Sequence, residues 1–436
     1  MNIVIIGAGA AGLSAAYDLA GLGHTVTVYE AAPNTGGLAA GFKEPHWDWT
    51  MEKFYHHWFQ SDKAVLGLID EIGARGKVLF PRPYTVIYYQ GRFYPFDHMY
   101  TNMPLFLLRH FPLVDVMRFG LAGAYLKFNP RWQPLETVTA DEWMTRKMGK
   151  RVYESMWKPL LVGKFGDEYY QQVNMAWFWA RLHSRTTRLG TFVGGFQAFF
   201  ETLADAVRQR GATIHLSCAV REITPRAEGG LTLHTPSGPI DYDACLVTTS
   251  PRLLTRLAPA LPPDYLAQLN QLKSMGAVVL ILSLTQQLSE RGYYWHNLPK
   301  DAGFPFLAMC EHTNFISPEH FGGDHLIYCG DYLLPEHEYF KLTADELLDR
   351  FAPALSRFNP RFDRSWIKKT WLFKETYAQP VPPINHSRSI PDIRTPIKSL
   401  YFASMSQVYP WDRGTNYAVE IGRRTARLIA ADANQG

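Results

Sequence analysis

Residues 2–30 read NIVIIGAGAAGLSAAYDLAGLGHTVTVYE, and this stretch decides the fold. Asn2 to Ile6 is a short run rich in β-branched residues, the composition of a parallel strand covered on both faces. It runs straight into Gly7, Gly9 and Gly12, in GxGxxG spacing. Leu13 to Leu22 suit a helix, and HTVTVYE reads as a second strand ending at Glu30, 18 residues after Gly12. Gly7 allows a tight turn, Gly9 lets backbone approach a pyrophosphate, and Gly12 lets the helix pack close to the strand. Ala10 and Ala11 open the helix, whose unpaired N–H groups and partial positive charge favour phosphate. Glu30, followed by Ala31, is placed to accept hydrogen bonds from ribose hydroxyls. The glycines, both strands and the acidic residue together predict a dinucleotide-binding βαβ unit.

The continuation EAAPNTGGLAAGF places Gly36 and Gly37 six and seven residues past Glu30. The whole of VIIGAGAAGLSAAYDLAGLGHTVTVYEAAPNTGGLAAGF resembles the N-terminus of the amine oxidase, protoporphyrinogen oxidase and phytoene desaturase superfamily of flavin enzymes. The resemblance implies FAD as cofactor, with Gly36, Gly37 and Leu38 passing close to the flavin. Two further matches follow in the family's order. Residues 194–225, GGFQAFFETLADAVRQRGATIHLSCAVREITP, carry a glycine pair, a helix over Phe196 to Arg210, a stop at Gly211 and a strand. Val220 matches the valine that meets the adenine side of FAD. YDACLVTTSP, Tyr242 to Pro251, is a strand with a turn, and Thr249 on that turn joins the expected cofactor contacts. Residues 400–429, LYFASMSQVYPWDRGTNYAVEIGRRTARLI, give a strand, a polar loop and a helix beginning near Asn416 or Tyr417. The family points this helix's N-terminus at the flavin, which places Arg413, Thr415, Asn416 and Tyr417 at the cofactor. Ser404 stands where the family's strand usually ends in glycine.

Met51 to Phe59, MEKFYHHWF, comes soon after the glycine pair. Adjacent histidines on a strand point to opposite faces, so they chelate one ion poorly, and no metal is expected. HWFQSD is similar to the His-x-Phe segment that UDP-galactopyranose mutases place at the flavin, and His57 matches that histidine. It is expected to bond the flavin or carry a proton, ahead of His56, which should face away. Glu52 is either a partner for a histidine or a residue facing the substrate. WKPLLVGKFG, Trp157 to Gly166, resembles a segment of protoporphyrinogen-oxidase-like and desaturase-like chains. Its Lys164 lies in an apolar setting. It is either an ion-paired structural lysine or, as a catalytic-site candidate beside His57, an anchor for an anionic group on the substrate. Arg181, Arg185 and Arg188 have i, i+4, i+7 spacing, one helix face if the helix persists.

The chain's 436 residues suffice for two domains. A net charge of +4 without a basic run argues against nucleic acid. Cys218, Cys245, Cys310 and Cys329 form no CxxC pair and read as reduced thiols of a cytoplasmic protein. An aromatic share of 14%, with 12 tryptophans, suggests an apolar ligand. The apolar stretch Asn102 to Phe128 is interrupted by Arg109, His110, Asp115, Arg118 and Lys127. That excludes a membrane span there but admits peripheral contact with a bilayer surface or a greasy tunnel. VIYYQGRFYPFD, Val86 to Asp97, predicts a hairpin turning at Gln90 and Gly91.

The expected fold is α/β: a Rossmann-like FAD-binding domain with a parallel sheet, made from 1–75, 190–270 and 385–436. It is interleaved with a substrate domain of mixed sheet and helical cap, 76–189 and 271–384. The expected activity is that of an FAD-dependent oxidoreductase. Its small-molecule substrate is expected to be hydrophobic, of polyprenyl, carotenoid-like or tetrapyrrole type. The alternative is a non-redox flavoenzyme resembling UDP-galactopyranose mutase, acting on a nucleotide sugar.

Overall fold

The computed structural model describes residues 1–96 and 102–434, so Asp97, the last residue of the expected hairpin, lies outside it. Five parallel strands form one sheet in the order Thr213–His215, Thr25–Tyr29, Asn2–Ile6, Ala244–Val247, Leu400–Phe402. The N-terminal strand lies at its centre. Ile3 and Ile5 face one layer, in which helices Ala10–Gly21, Phe196–Gln209 and Thr415–Ala433 bury Leu13, Leu203 and Val419. Val4 and Ile6 face the other, where a three-stranded antiparallel sheet brings Ile223, Leu231 and Leu233. Side chains alternate across a strand, so burial on both faces demands the continuous apolar run that NIVII supplies.

A seven-stranded sheet builds the second layer system, in the order Ile367–Pro380, Ser274–Leu284, His325–Leu333, Ala308–Glu311, Tyr293–Asn297, Tyr84–Tyr89, Arg92–Pro95. It is mixed, because Tyr293–Asn297 pairs parallel with Tyr84–Tyr89 while the other pairs are antiparallel. The expected hairpin turns at Gln90 and Gly91, both with positive φ (46° and 82°), which suits the right-handed twist of its strands. Helices Asn102–His110, Leu113–Phe128, Ala140–Met148, Lys158–Tyr169 and Met175–Ser184 form the cap. They share one apolar cluster with Met275, Ala277, Tyr332 and Ala378 of the mixed sheet.

Two local expectations change. The strand expected over ATIHLSCAVREI is interrupted. Its first part, Thr213–His215, joins the parallel sheet, Ser217 takes positive φ, and Glu222–Pro225 starts the small antiparallel sheet. Val220 lies in the irregular link between them. The helix carrying Arg181 stops at Ser184, so Arg181, Arg185 and Arg188 do not share a helix face. Arg188 instead donates to Phe80 O at 3.0 Å.

Candidate active site

The N-terminal strand delivers the chain to Gly7, whose φ is +107°. A Cβ on Gly12 would stand 1.9 Å from Gly7 O, and one on Gly7 2.5 Å from Thr248 Oγ1. Thr248 is held there by donating to Ile6 O at 2.9 Å. No local spacing signals this threonine's role, because its partner lies 242 residues away. Helix Ala10–Gly21 begins after Gly9 with no side chain capping its first N–H groups. The second glycine loop closes on the first, with Gly36 N donating to Ala8 O at 2.9 Å. Glu30 braces both sides: its carboxylate accepts from Ala8 N at 2.8 Å and Ala32 N at 2.9 Å. Each oxygen keeps lone-pair capacity for a hydroxyl. Uncapped helical amides, a glycine-lined approach and a carboxylate at the strand end fit the pyrophosphate and ribose of a dinucleotide. Ala10, Ala11, Ala31, Gly37 and Leu38 lie on these same two loops. Val220 and Thr249 belong to neighbouring segments. Cys218 N donates to Glu30 O at 2.8 Å, and the Thr249 hydroxyl donates to Ser250 O at 3.4 Å.

The C-terminal loop forms the facing wall. Ser404 is extended (φ −133°), a conformation any residue adopts, so the missing glycine imposes no strain. Its hydroxyl accepts from Ser406 N at 3.3 Å, and Gln407 reaches back to Ser404 N at 2.7 Å. Thr415 accepts from Trp58 Nε1 at 2.7 Å. Asn416 Oδ1 accepts from Ala64 N at 2.9 Å and Val65 N at 3.1 Å, capping helix Lys63–Glu71. Tyr417 stacks on Trp411 with centroids 5.5 Å apart. These side chains are engaged with the protein, so this helix has its backbone N–H groups and dipole to offer a flavin.

Between the walls lies a small cavity. Leu38, Phe54, Ala277, Val279 and Ala378 make it apolar, while Tyr55, His56, Tyr332 and Arg413 supply its polar groups. The two histidines take different positions here. His56 lines the cavity, and its Nδ1 donates to Phe54 O at 2.7 Å, which leaves the lone pair on Nε2. Burial pushes its pKa down to about 4, so the ring is neutral near pH 7. His57 points away, bonded to Tyr294 OH and enclosed by Tyr294, Trp295 and Phe315. Burial pushes it down to about 3. The physical reason is the backbone: regular pairing covers Met51–Glu52 and Trp58–Phe59 only, and the irregular link between them sets its own directions.

Behind Arg413 sits a charge cluster the sequence did not disclose. Asp412 receives Trp177 Nε1 at 3.0 Å and Gln379 Nε2 at 3.3 Å, is bonded by Arg181, and stands 3.8 Å from Lys164 Nζ. Burial alone would raise the Asp412 carboxyl, but Lys164, Arg181 and Arg413 together hold it well below the usual carboxylate range. Lys164 is buried between Trp177 and Tyr332, 5.7 and 5.0 Å from their ring centroids. Burial and the neighbouring Arg181 push its ammonium pKa well down despite Asp412. Burial disfavours both charges, but Asp412 is surrounded by cations whereas Lys164 shares its carboxylate with Arg181 and Arg413. Arg413 bonds Tyr332 OH, but its buried Nε has no partner among the described residues.

Glu52 takes neither role expected of it. It is buried and accepts from Phe196 N at 2.8 Å, holding the first turn of helix Phe196–Gln209. Burial raises its pKa from 4.5 to about 7, against the hydrogen bond from Phe196. A raised carboxyl favours the protonated native state, so its contribution is complete below pH 4.5 and lost as pH rises through 7. Glu52→Gln is therefore expected to flatten the decline in stability between those limits. Relative to wild type it gains up to roughly 3 kcal/mol at pH 8, read by urea unfolding across pH.

The cradle, the C-terminal helix and the cavity between them fit a two-sheet protein that binds a flavin dinucleotide. The chain belongs to the flavin-containing amine oxidoreductase family, whose profile matches residues 10–430. That family's cofactor is FAD, and its reaction class is oxidoreduction. The chain is 23% identical over 322 residues to an L-amino-acid oxidase of Demansia vestigiata; the match takes in 66% of this chain but only 59% of that protein. It is 22% identical to the chloroplastic/chromoplastic 15-cis-phytoene desaturase of Glycine max, across 99% of this chain and 80% of the desaturase. Among solved structures, a putative protoporphyrinogen oxidase from Exiguobacterium sp. 255-15 superposes with TM-score 0.77 at 19% identity, covering 99% of this chain and 98% of that one. A reduced UDP-galactopyranose mutase gives TM-score 0.75 at 15% identity, covering 99% and 95%. These structural likenesses establish the α/β fold.

Proposed function

We propose that the protein is an FAD-dependent oxidoreductase acting on a hydrophobic small molecule that carries an anionic group, such as a tetrapyrrole or a polyprenyl or carotenoid-like acid. The observation that carries this reading is the cavity itself: apolar walls from Leu38 to Ala378, with Arg413 on one side, whose buried Nε has no partner among the described residues. The desaturase relative supports the apolar substrate class.

The chemistry that FAD supplies when bound is acceptance of a hydride at N5. The chain's own groups do the rest. The amides after Gly9 and the Glu30 carboxylate would hold the pyrophosphate and ribose. Phe54, Ala277 and Val279 would exclude water from the apolar body of the substrate. Arg413 would seat its anionic group, since a cluster with one carboxylate and three cations gains from a second negative charge. His56, neutral and with a free Nε2, would accept a proton from a substrate that must lose one. His57, the residue that favoured the nucleotide-sugar alternative, is enclosed by aromatic rings away from this cavity.

The FAD-loaded protein titrated anaerobically should be bleached by the substrate and remain oxidised with NADH or NADPH. Reduction by a nicotinamide followed by isomerisation of a nucleotide sugar would overturn the reading. Arg413→Met should raise KM for an anionic substrate about tenfold or more while leaving that for its neutral ester nearly unchanged, because a charged hydrogen bond contributes about 1.5–3 kcal/mol.

A further inference from the structure

We propose that the outward face of helices Asn102–His110 and Leu113–Phe128 docks the protein onto a lipid bilayer bearing anionic headgroups. Half of the large apolar side chains that the described residues expose lie on these two helices. Leu105 and Leu108 stand out from the first. Leu113, Met117, Leu121, Tyr125 and Phe128 form one stripe along the second, at i, i+4, i+8, i+12 and i+15. Leu121 is 73% exposed and Phe128 80%. Isolated apolar residues on a surface are ordinary, but a contiguous stripe of this size is not. The opposite side of the same helix is anchored: Phe119, Ala122 and Leu126 are buried in the cap's core.

The rim of the stripe identifies its occupant. Arg109 is exposed between Leu108 and the second helix. Arg118 donates to Arg146 O at 2.6 Å, which brings the corner holding exposed Arg146, Lys147, Lys150 and Arg151 beside the stripe. Two acids answer this corner: Asp115 is half-buried and faces Arg151 at 3.7 Å, and Glu154 stands 3.8 Å from Lys150, against the six cations Arg109, Arg118, Arg146, Lys147, Lys150 and Arg151. Cations therefore dominate the edge of an apolar face. That combination matches an interfacial helix whose apolar side enters the acyl boundary while basic groups meet anionic headgroups. A second copy of the chain is a poorer occupant, because a symmetric dimer would set like-charged rims against each other. No helix among the described residues is long and apolar enough to cross a membrane, so the contact is one of lying on the surface. The cluster under these helices also contains Ala277, Tyr332 and Ala378, which line the cavity, so the docking face and the proposed site belong to one packed unit. The proposal does not depend on which substrate is oxidised.

The test is flotation of the full-length, FAD-loaded protein with vesicles of phosphatidylcholine alone and of phosphatidylcholine mixed with phosphatidylglycerol. Wild type should float with the mixed vesicles, less with the neutral ones, and less again at high salt. Met117→Glu/Leu121→Glu should weaken binding about tenfold or more. Arg118→Gln and Lys150→Gln should each weaken it about fivefold on mixed vesicles only. All variants should keep the wild-type flavin spectrum and melting temperature. Should the glutamates disturb folding, Leu113→Ser/Leu121→Ser gives the same readout at uncharged positions. Failure of wild type to float, or flotation unaffected by these variants, overturns the proposal. So does a concentration-dependent dimer that the stripe variants dissolve.

Discussion

Gly12→Ala is expected to yield a protein that purifies without bound flavin and melts well below wild type. The added methyl would lie 1.9 Å from Gly7 O and 3.2 Å from Thr248 Oγ1. Neither neighbour can retreat: Gly7 O belongs to the turn, and Thr248 is tied to Ile6 O. The helix must move away from the strand, and the cost of such overpacking is about 1–3 kcal/mol. The same movement carries the first helical amides away from the glycine loop, so the pyrophosphate site opens as the helix shifts. Absorbance after gel filtration in excess FAD reads the first effect, and calorimetry with and without FAD reads the second. A Gly12→Ala protein with normal flavin content would show that the strand and helix adjust without cost to the cradle.

The second large effect is at Asp412. Among the described residues Asp412 is the carboxylate that Lys164, Arg181 and Arg413 share, so Asp412→Ala leaves the buried Lys164 and its arginine neighbours without a counter-charge and is expected to cost about 3 kcal/mol of stability. Lys164→Met alone should cost little, because the ammonium is already disfavoured in its site. Placed in the Asp412→Ala background, it should recover part of the loss. The pH dependence follows from the depressed carboxyl. Its contribution is present above the ordinary value of 3.8 and fades as pH falls below it, so wild type should lose an acid-side increment of stability that Asp412→Asn lacks. Urea unfolding of wild type and the four variants at neutral and acid pH checks each statement. Equal stability of Asp412→Ala and wild type would mean that water already shields the cluster.

What the sequence disclosed was local. Gly7, Gly9, Gly12 and Glu30 act through backbone shape and charge at fixed offsets, so residue type and spacing reveal them. The strand Asn2–Ile6 was legible because a run buried on both faces cannot hide its composition. What stayed hidden depends on pairing across long separations. Asp412 looks like an ordinary loop residue until Arg181 and Trp177 arrive from 231 and 235 residues away. Asn416 was expected at the flavin, yet it caps a helix that begins near residue 63, a partnership no spacing signals. The directions of the histidine pair were hidden for another reason. Alternation holds only where a strand is regular, and the chain leaves pairing at Lys53 and rejoins it at Trp58.

That cap has a consequence for how the molecule comes into being. The helix Lys63–Glu71 receives its first-turn acceptor from Asn416, Trp58 finds Thr415, and the last strand of the parallel sheet is Leu400–Phe402. A ribosome that has made the glycine loops and most of the chain has still not supplied these pieces. FAD capture is thus expected only once residues 400–416 have been made and meet the first seventy residues. Such distant pairing closes slowly. A chain truncated before residue 400 is expected to leave the nascent flavin site an open edge, however intact its first forty residues are.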